Sequence, residues 1–466
     1  MKKLFVLWLT LLLTVVSSGS LQATSWVQPP VPAATAKNLK SNNQKLAAKY
    51  RTTLLDRFLK YVTYDSKSKE DELITENQIK TAQKLFAEIE QMGLNVTLSE
   101  HYYIFVDIPS NLSWQSPILG FSCHYDVTPD VQSEGVKPQR IDRYDGNKIE
   151  LGINPRGELE VLDPDTERDA YLKTQIGNTI VTSDGTTNLG ADDKAGVAIV
   201  MTFLETLAQN PAKKHGPIQV VIAPNEDVGR AAQFIDEIPY RPEIAFDFDG
   251  GVDGQLMIEN FEARQEFFTV KGRPGHQSAA ATNGYRNAWT PACELGATIC
   301  TKELLPNNSS GRQGYAELHH ISHPEGDVST AKLDIRLRGY VSADMDKWST
   351  RADSIAKEIS KSYDVQITHE SFPSYSNVGE HMYPQALELT KRAFEMSDVK
   401  MNAMSVRAGT TAAMFVTKGL VGAYTIFTGQ NNEHLYSEWL SEEDMYKSYV
   451  VALNLADVVA QVHVAK

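Results

Sequence analysis

The sequence has few cysteines, no excess of positive charge and no long apolar run after its first residues. Its 466 residues include only 3 cysteines, which fit no disulfide framework. The formal net charge of −14 argues against nucleic acid or an anionic membrane surface as a partner. No later segment is apolar over the length that a membrane span needs. The composition therefore favours a soluble protein, and the length predicts more than one hydrophobic core.

The N-terminus has the form of an export signal. Two lysines precede the apolar run Leu4–Val16, and small and polar residues follow as far as Ala23. This run is too short and too early for a stable membrane span, so residues 1–23 are predicted to be a signal peptide. The protein is then expected to be periplasmic or secreted. Residues 24–45, which contain three prolines, are predicted to form a linker.

The three cysteines are expected to be unpaired. Cys293 and Cys300 are seven residues apart in a predicted helix, about 10.5 Å along its axis and beyond the range of a disulfide. Cys123 precedes His124 on a predicted strand, so the two side chains point to opposite faces. Because free thiols persist in an oxidising compartment when they are buried, we expect all three to be inaccessible.

Acidic residues and histidines recur beside turns that end predicted strands. They are His124, Asp126, Asp192, Asp193, Glu226, Asp227, Asp249 and His434, with Glu438 four residues after the last histidine. Alone, each has an ordinary structural role as a helix cap, a hydrogen-bonded histidine or a solvated surface acid. Their joint occurrence instead predicts the site of a two-metal hydrolase.

The chemistry of such a site assigns two of these residues. Two metal ions that share one reaction centre need a carboxylate able to bind one ion with each oxygen. Asp192 suits this role because it begins a predicted helix, whose N-terminus favours an anion. Asp126 lies two residues along a strand from His124, so it faces the same side and can hold the imidazole through its second nitrogen.

Several separated motifs carry a family resemblance that extends from about Leu54 to the C-terminus. They are Leu55–Val62, Gly93–Glu100, Leu189–Gly196, Glu259–Phe261 and Phe427–Gly429. In these motifs the chain resembles the peptidase T family of tripeptide aminopeptidases. These are di-zinc metallopeptidases whose relatives include carboxypeptidases, aminoacylases and dipeptidases. The resemblance implies a short peptide as substrate and two divalent ions per chain, zinc in the first place and cobalt or manganese as alternatives.

The resemblance also implies a set of metal ligands. His124 and Asp249 would complete one metal site, and Asp227 and His434 the other, with Asp192 shared between them. Asp227 stands where the family usually has a glutamate, so this ligand is one methylene shorter. The family pattern further implies a cis peptide bond between Asp192 and Asp193.

Other residues receive catalytic and substrate-binding roles by the same resemblance. Glu226 would be the general base that deprotonates the metal-bound water and later protonates the leaving amine. His276 matches a lid histidine that steadies the developing oxyanion. Arg338, with Arg336 as the alternative one pleat away, and Arg407 are candidates for binding the peptide's carboxylate, because a guanidinium pairs with it bidentately.

The order of the predicted elements indicates an α/β protein with an insertion. Residues 46–260 alternate apolar strands with helices, which predicts a mixed-sheet catalytic domain of the zinc-exopeptidase type. Residues 261–374 combine strands such as Ala331–Arg338 with two helices, which predicts an inserted α+β, ferredoxin-like domain. Residues 375–466 return to the catalytic domain and supply His434. The resemblance implies that the insertion serves as a lid and as the surface of a homodimer.

Three functions are compatible with these residues. The first is an exported aminopeptidase that acts on short peptides. The second is a carboxypeptidase or an N-acyl-amino-acid amidohydrolase, which would share every metal ligand. The third is a metal-free peptide-binding protein on a hydrolase fold. Peptides with blocked amino termini distinguish the first two, and metal analysis separates both from the third.

Overall fold

The structure is a computed structural model that describes residues 26–27, 33–324 and 327–464. The predicted signal peptide lies outside these residues. The described chain forms a large mixed sheet with helices on both faces and a second, smaller α+β unit. This architecture confirms the predicted fold class.

The large sheet has eight strands, and its centre is parallel. In spatial order the strands are Asn402–Val406, Gln255–Asn260, Ala423–Phe427, Ile244–Gly250, Leu119–His124, Ile218–Ala223, Ile104–Ile108 and Val96–Leu98. Four adjacent strands from Ala423–Phe427 to Ile218–Ala223 run parallel, while Ile104–Ile108 pairs antiparallel with its neighbour. All six residues of Leu119–His124 are buried, as expected for a central strand covered on both faces.

Helices cover the sheet on both faces. The main core lies under the helices Ala33–Tyr61, Glu76–Gln91, Ala191–Gln209, Ala386–Met396 and Glu442–Ala460. Phe121 on the central strand packs edge-on against Phe203 and Phe248, with ring centroids 5.0 Å apart in each pair. The short helix Thr411–Val416 contributes Met414 and Phe415 to a separate apolar cluster that also contains Tyr240.

The prediction of a linker over residues 24–45 is wrong for residues 33–45, and residues 24–25 and 28–32 lie outside the described chain. The chain is helical from Ala33 to Tyr61 without a break. This segment is rich in alanine, lysine and leucine, which favour a helix, and the prolines precede it. Asn43 is buried and donates to Asn454 and Asp457 on the last helix. Docking against that helix therefore stabilises a segment whose composition alone resembles a linker.

The inserted unit has its own sheet and core. Its antiparallel strands, in spatial order, are Tyr315–Ser322, Thr330–Gly339, Glu262–Lys271 and Gln366–Tyr375. The helices Trp289–Ile299 and Ser342–Tyr363 pack onto this sheet around a second apolar cluster. The chain order strand, helix, strand, strand, helix, strand is the ferredoxin-like arrangement that the sequence predicted.

Smaller elements complete the described chain. A four-stranded sheet contains Gln430–Asn431, Trp439–Ser441, Ile180–Thr182 and Gln139–Ile141. A hairpin pairs Ile149–Ile153 with Leu159–Leu162, and Trp26–Val27 pairs with His463–Val464. A single helical turn spans Ala280–Asn283. No helix in residues 33–324 and 327–464 has the length and apolarity needed to cross a membrane.

The three cysteines are unpaired, but they are not all inaccessible. Cys123 is buried, Cys300 is half-buried, and Cys293 is exposed on the helix Trp289–Ile299. The expectation that burial protects every thiol is therefore wrong for Cys293, which lies on a helix that packs only one face onto the inserted sheet.

Candidate active site

Parallel strands bring the predicted ligands to one edge of the large sheet. His124 ends Leu119–His124, Asp249 lies near the end of Ile244–Gly250, and Asp227 follows Ile218–Ala223. These three strands are neighbours and run in the same direction. Their carboxyl ends therefore meet at the same edge, where ligands bind in open α/β sheets.

Asp192 lies between the two histidines. Its Oδ1 is 3.1 Å from Nε2 of His124, and its Oδ2 is 3.3 Å from Nε2 of His434. The same nitrogen of His434 is 2.9 Å from Oδ1 of Asp227, and that of His124 is 3.8 Å from Oδ1 of Asp249. The five residues therefore lie together, with Asp192 beside both His124 and His434, Asp249 near His124, and Asp227 near His434.

The donor atoms fit a pair of divalent ions. One ligand atom each of Asp192, Asp227 and His434 lies within 4.8 Å of the others, as metal coordination requires. Oδ2 of Asp227 is buried without a hydrogen-bond partner among the described residues, which a metal ion would satisfy. Carboxylate oxygens and imidazole nitrogens are ligands of zinc and similar ions. Asp192, Asp227 and His434 could therefore hold one ion, and His124, which lies near Asp192 and Asp249, offers a donor for a second.

Asp193 also lies within ligand distance of His124 and Asp249. Its oxygens, however, accept hydrogen bonds from the backbone N–H groups of His124 at 3.1 Å and Gly196 at 3.0 Å. Asp193 therefore ties the start of its helix to the strand that carries His124. The bond between Asp192 and Asp193 is cis, as the resemblance implied.

Charge and burial perturb the acids and bases of this site. Hydrogen bonds with Asp192 and Asp227 raise the pKa of His434 to about 12 in the metal-free protein. Burial raises the pKa of Glu226 to about 8, and the neighbouring carboxylates of Asp227 and Asp192 add to this shift. Bound cations would lower both values by favouring neutral imidazole and ionised carboxylate.

Asp126 has a wider role than the sequence indicated. Its Oδ1 is 3.4 Å from Nδ1 of His124, within ion-pair distance, but that nitrogen has no hydrogen-bond partner among the described residues. The same carboxylate also accepts the backbone N–H groups of Glu226 at 3.0 Å and Asp227 at 3.3 Å. This fully buried side chain therefore holds the loop that carries Glu226 and Asp227, and its charge lies beside the imidazole of His124.

Two further supporting residues were not assigned roles from the sequence. Glu438 is fully buried and accepts the backbone N–H groups of Gly190 at 2.6 Å and Asp192 at 2.9 Å. In the sequence, the only indication of a role for Glu438 was its position four residues after His434. Gln430 donates from Nε2 to Oδ1 of Asp249 at 3.3 Å, and a glutamine after a glycine turn gives no signal of this.

Three of the predicted site residues are absent from the pocket that contains the candidate metal ligands. His276 is exposed on the inserted unit, with its Nδ1 2.8 Å from the hydroxyl of Ser278. Arg338 donates to the carbonyl oxygens of Arg264 and Leu337. Arg407 donates to the carbonyl oxygens of Gly311 and Gln313 and lies over the ring of Phe261.

Both arginines therefore have structural partners at the inserted unit, and the structure does not support their assignment to the substrate carboxylate. Arg336, the alternative, lies half-buried on the strand Thr330–Gly339, opposite Gln265 and Glu317 on the neighbouring strands.

A pocket of about 540 Å³ opens over the ligands, a size that suits a small molecule or short peptide. It is lined by Asp192, Glu226, Asp227, Asp249, Gly251, Val252, Gln255, Met257, Val406, Ala408, Gly409, Thr410, Gln430, Asn431, Asn432, Glu433 and His434. The lining thus contains five carboxylates, and no lysine or arginine is among the described residues that form it. The acidic side chains and histidine that line this pocket fit the site of a two-metal hydrolase.

Comparisons with known proteins agree with this site. Residues 190–457 match Peptidase family M20/M25/M40. Peptidase T of Serratia proteamaculans (strain 568) is 32% identical over 418 residues, which cover 88% of this chain and 98% of that protein. Peptidase T of Clostridium novyi (strain NT) is 31% identical over 416 residues, which cover 87% and 98%.

Solved structures show the same fold. Aminopeptidase PepT from Bacillus cereus ATCC 10987 aligns with a TM-score of 0.65 and 18% identity, covering 88% of this chain and 99% of that chain. A dinuclear metal-binding peptidase of family M20 from Bacillus subtilis aligns with a TM-score of 0.59 and 12% identity, covering 88% and 99%. The chain belongs to Peptidase family M20/M25/M40, as a metallopeptidase of the peptidase T type.

Proposed function

We propose that this chain is an exported aminopeptidase that removes the N-terminal residue of short peptides, with Glu226 as the general base. The observation that carries the proposal is the place of Glu226 in the pocket. It lines the pocket next to the ligand Asp227 but belongs to neither ligand group. Its carboxylate is 3.9 Å from Nε2 of His124, and its backbone is held by Asp126.

The residues around Glu226 support a role in proton transfer. Two divalent ions, zinc in the first place, would supply a water of lowered pKa and polarise the scissile carbonyl. Glu226 accepts a proton as the water oxygen forms its bond to the carbonyl carbon. It then donates that proton to the peptide nitrogen as the C–N bond breaks. Burial raises the pKa of this carboxyl in the metal-free protein, which favours a group that both takes and returns a proton.

Two adjacent substitutions test these roles. Glu226→Gln keeps the shape of the side chain and should keep both ions, while kcat falls about 10²–10⁴-fold with little change in KM. Asp227→Asn weakens a ligand, so it should lose metal and be partly rescued by excess zinc. Each variant is the control for the other. Metal loss in Glu226→Gln with full metal in Asp227→Asn would reverse the two roles.

The choice of aminopeptidase over carboxypeptidase is supported by the pocket lining, which lacks a lysine or arginine for the C-terminal carboxylate. Free and N-acetylated tripeptides decide between them, because only an aminopeptidase requires the free amine. Full activity after metal removal by a chelator would contradict both enzymes. We also propose export through residues 1–23 and a homodimer through the inserted unit. The N-terminal sequence of the mature protein and its mass in solution test these two points.

A further inference from the structure

One carboxylate in the pocket has no partner in the site described above. Glu433 lines the pocket and precedes the ligand His434, yet it is absent from the ligand groups. Its side chain is exposed and forms no ion pair with any residue that the structure describes. The other four carboxylates of the lining are the three ligands Asp192, Asp227 and Asp249, and the proposed base Glu226. Glu433 is therefore available to bind something that enters the pocket.

The backbone around Glu433 is fixed. Asn432 donates from its side chain to Oδ1 of Asp169 at 2.8 Å and to the carbonyl oxygen of Ser437 at 3.3 Å. The carbonyl oxygen of Asn432 accepts the N–H of Leu435 at 3.2 Å, which closes a tight turn around Glu433. The residues on either side of Glu433 both have a positive φ, 59° at Asn432 and 62° at His434. The turn therefore holds Glu433 next to the ligand histidine.

When two divalent ions are bound in the pocket, Glu433 is the carboxylate of the described lining that is left without a balancing positive charge. The four carboxylates of Asp192, Glu226, Asp227 and Asp249 carry four negative charges when ionised, and two divalent ions would neutralise them. Glu433 is the fifth carboxylate, and no lysine or arginine is among the described residues that line the pocket. A pocket with this charge attracts a cationic group and repels an anionic one.

We propose that Glu433 binds the protonated α-amino group of the peptide substrate. This deepens the proposed function and rests on it. An ammonium group satisfies the unpaired carboxylate with a charge-assisted hydrogen bond. An N-acylated peptide lacks that charge, so it would cover Glu433 without pairing it, at a cost in binding. Glu433 would thus determine that this pocket accepts free amino termini.

The substitution Glu433→Gln tests the proposal because it removes the charge and keeps the size. The kcat/KM for a free tripeptide should fall about 10- to 100-fold, mainly through KM, since a hydrogen bond between charged groups is lost. The kcat/KM for the N-acetylated peptide should not fall and should rise where its binding had covered the unpaired charge. The variant that keeps the charge, Glu433→Asp, should recover part of the loss for the free tripeptide. Glu395→Gln is the matched control, because Glu395 is exposed on Ala386–Met396 without an ion pair.

Binding gives a readout that does not depend on turnover. In the Glu226→Gln background, calorimetric titration should show that free tripeptide binds more tightly than its N-acetyl form, and adding Glu433→Gln should abolish the difference. A wild-type protein that releases no N-terminal residue would overturn the proposed function itself. Wild-type cleavage together with an unchanged preference for free amines in Glu433→Gln would overturn only the role of Glu433, as would loss of metal from that variant.

Discussion

Glu438 offers a direct test of how the bridging aspartate is held. Its two oxygens accept the N–H groups of Gly190 and Asp192, and its side chain is fully buried. Glu438→Gln keeps one acceptor and turns an NH₂ group toward the other N–H. One buried donor then loses its partner at the turn that carries the shared ligand.

The size of the effect depends on whether metal is bound. Burial raises the pKa of Glu438 to about 8 in the metal-free protein, so at pH 7 the carboxyl is mostly protonated. The hydroxyl oxygen of the protonated acid can still accept an N–H, whereas the NH₂ group of glutamine cannot, so the free energy of unfolding of the metal-free protein should fall by about 1–3 kcal/mol. Bound cations favour the ionised acid, so the variant should lose about 1.5–3 kcal/mol of metal binding, or about 10- to 100-fold in affinity.

Zinc affinity is measured by competition with a chromophoric chelator, and the stability of the metal-free protein by urea unfolding. Glu442→Gln is the matched control, because Glu442 is also buried and begins the next helix but pairs with Arg51. It should reduce stability and leave zinc affinity unchanged. The reasoning is refuted if Glu438→Gln binds zinc like the wild type, or if both variants weaken zinc equally.

Two further measurements concern pH and the core. Since the pKa of His434 is raised to about 12 without metal, zinc must displace its proton, and zinc affinity should fall about tenfold for each unit that pH is lowered below 8. Zinc binding that does not depend on pH would contradict this prediction. The pairing of His434 with Asp192 and Asp227 also stabilises the metal-free protein; this stabilisation is fully present below pH 6.5 and is lost as pH rises toward 12. Phe121→Ala should lower the free energy of unfolding by about 3–5 kcal/mol in urea, against about 0.5 kcal/mol for the exposed Phe372→Ala.

The sequence predicted the parts of the site whose position follows from chain direction. His124, Asp227 and Asp249 follow apolar strands, and parallel strands place such residues at one edge. Short side chains leave little choice of direction once the backbone is set. The fold class, the cis bond and the proximity of these side chains could therefore be predicted from motifs and family resemblance.

The missed features depend on contacts that the sequence does not record. The side chains of Arg338 and Arg407 are long enough to reach either a substrate or a nearby carbonyl, and here carbonyls bind them. Glu438 accepts backbone N–H groups, and because nearly every residue has such a group, the residue types of its partners do not reveal the contact. The helix from Ala33 depends on docking against a partner helix at the other end of the chain.

The shared carboxylate also has a consequence for the order in which the enzyme becomes active. The two metal sites draw their ligands from His124 to His434, and Asp192 belongs to both. A chain that emerges from the ribosome N-terminus first presents His124, Asp192 and Asp249 well before His434. One half of the centre can form early, but the other waits for the C-terminal part of the chain. Peptide hydrolysis by the complete two-metal centre is therefore withheld until synthesis of the chain is nearly complete.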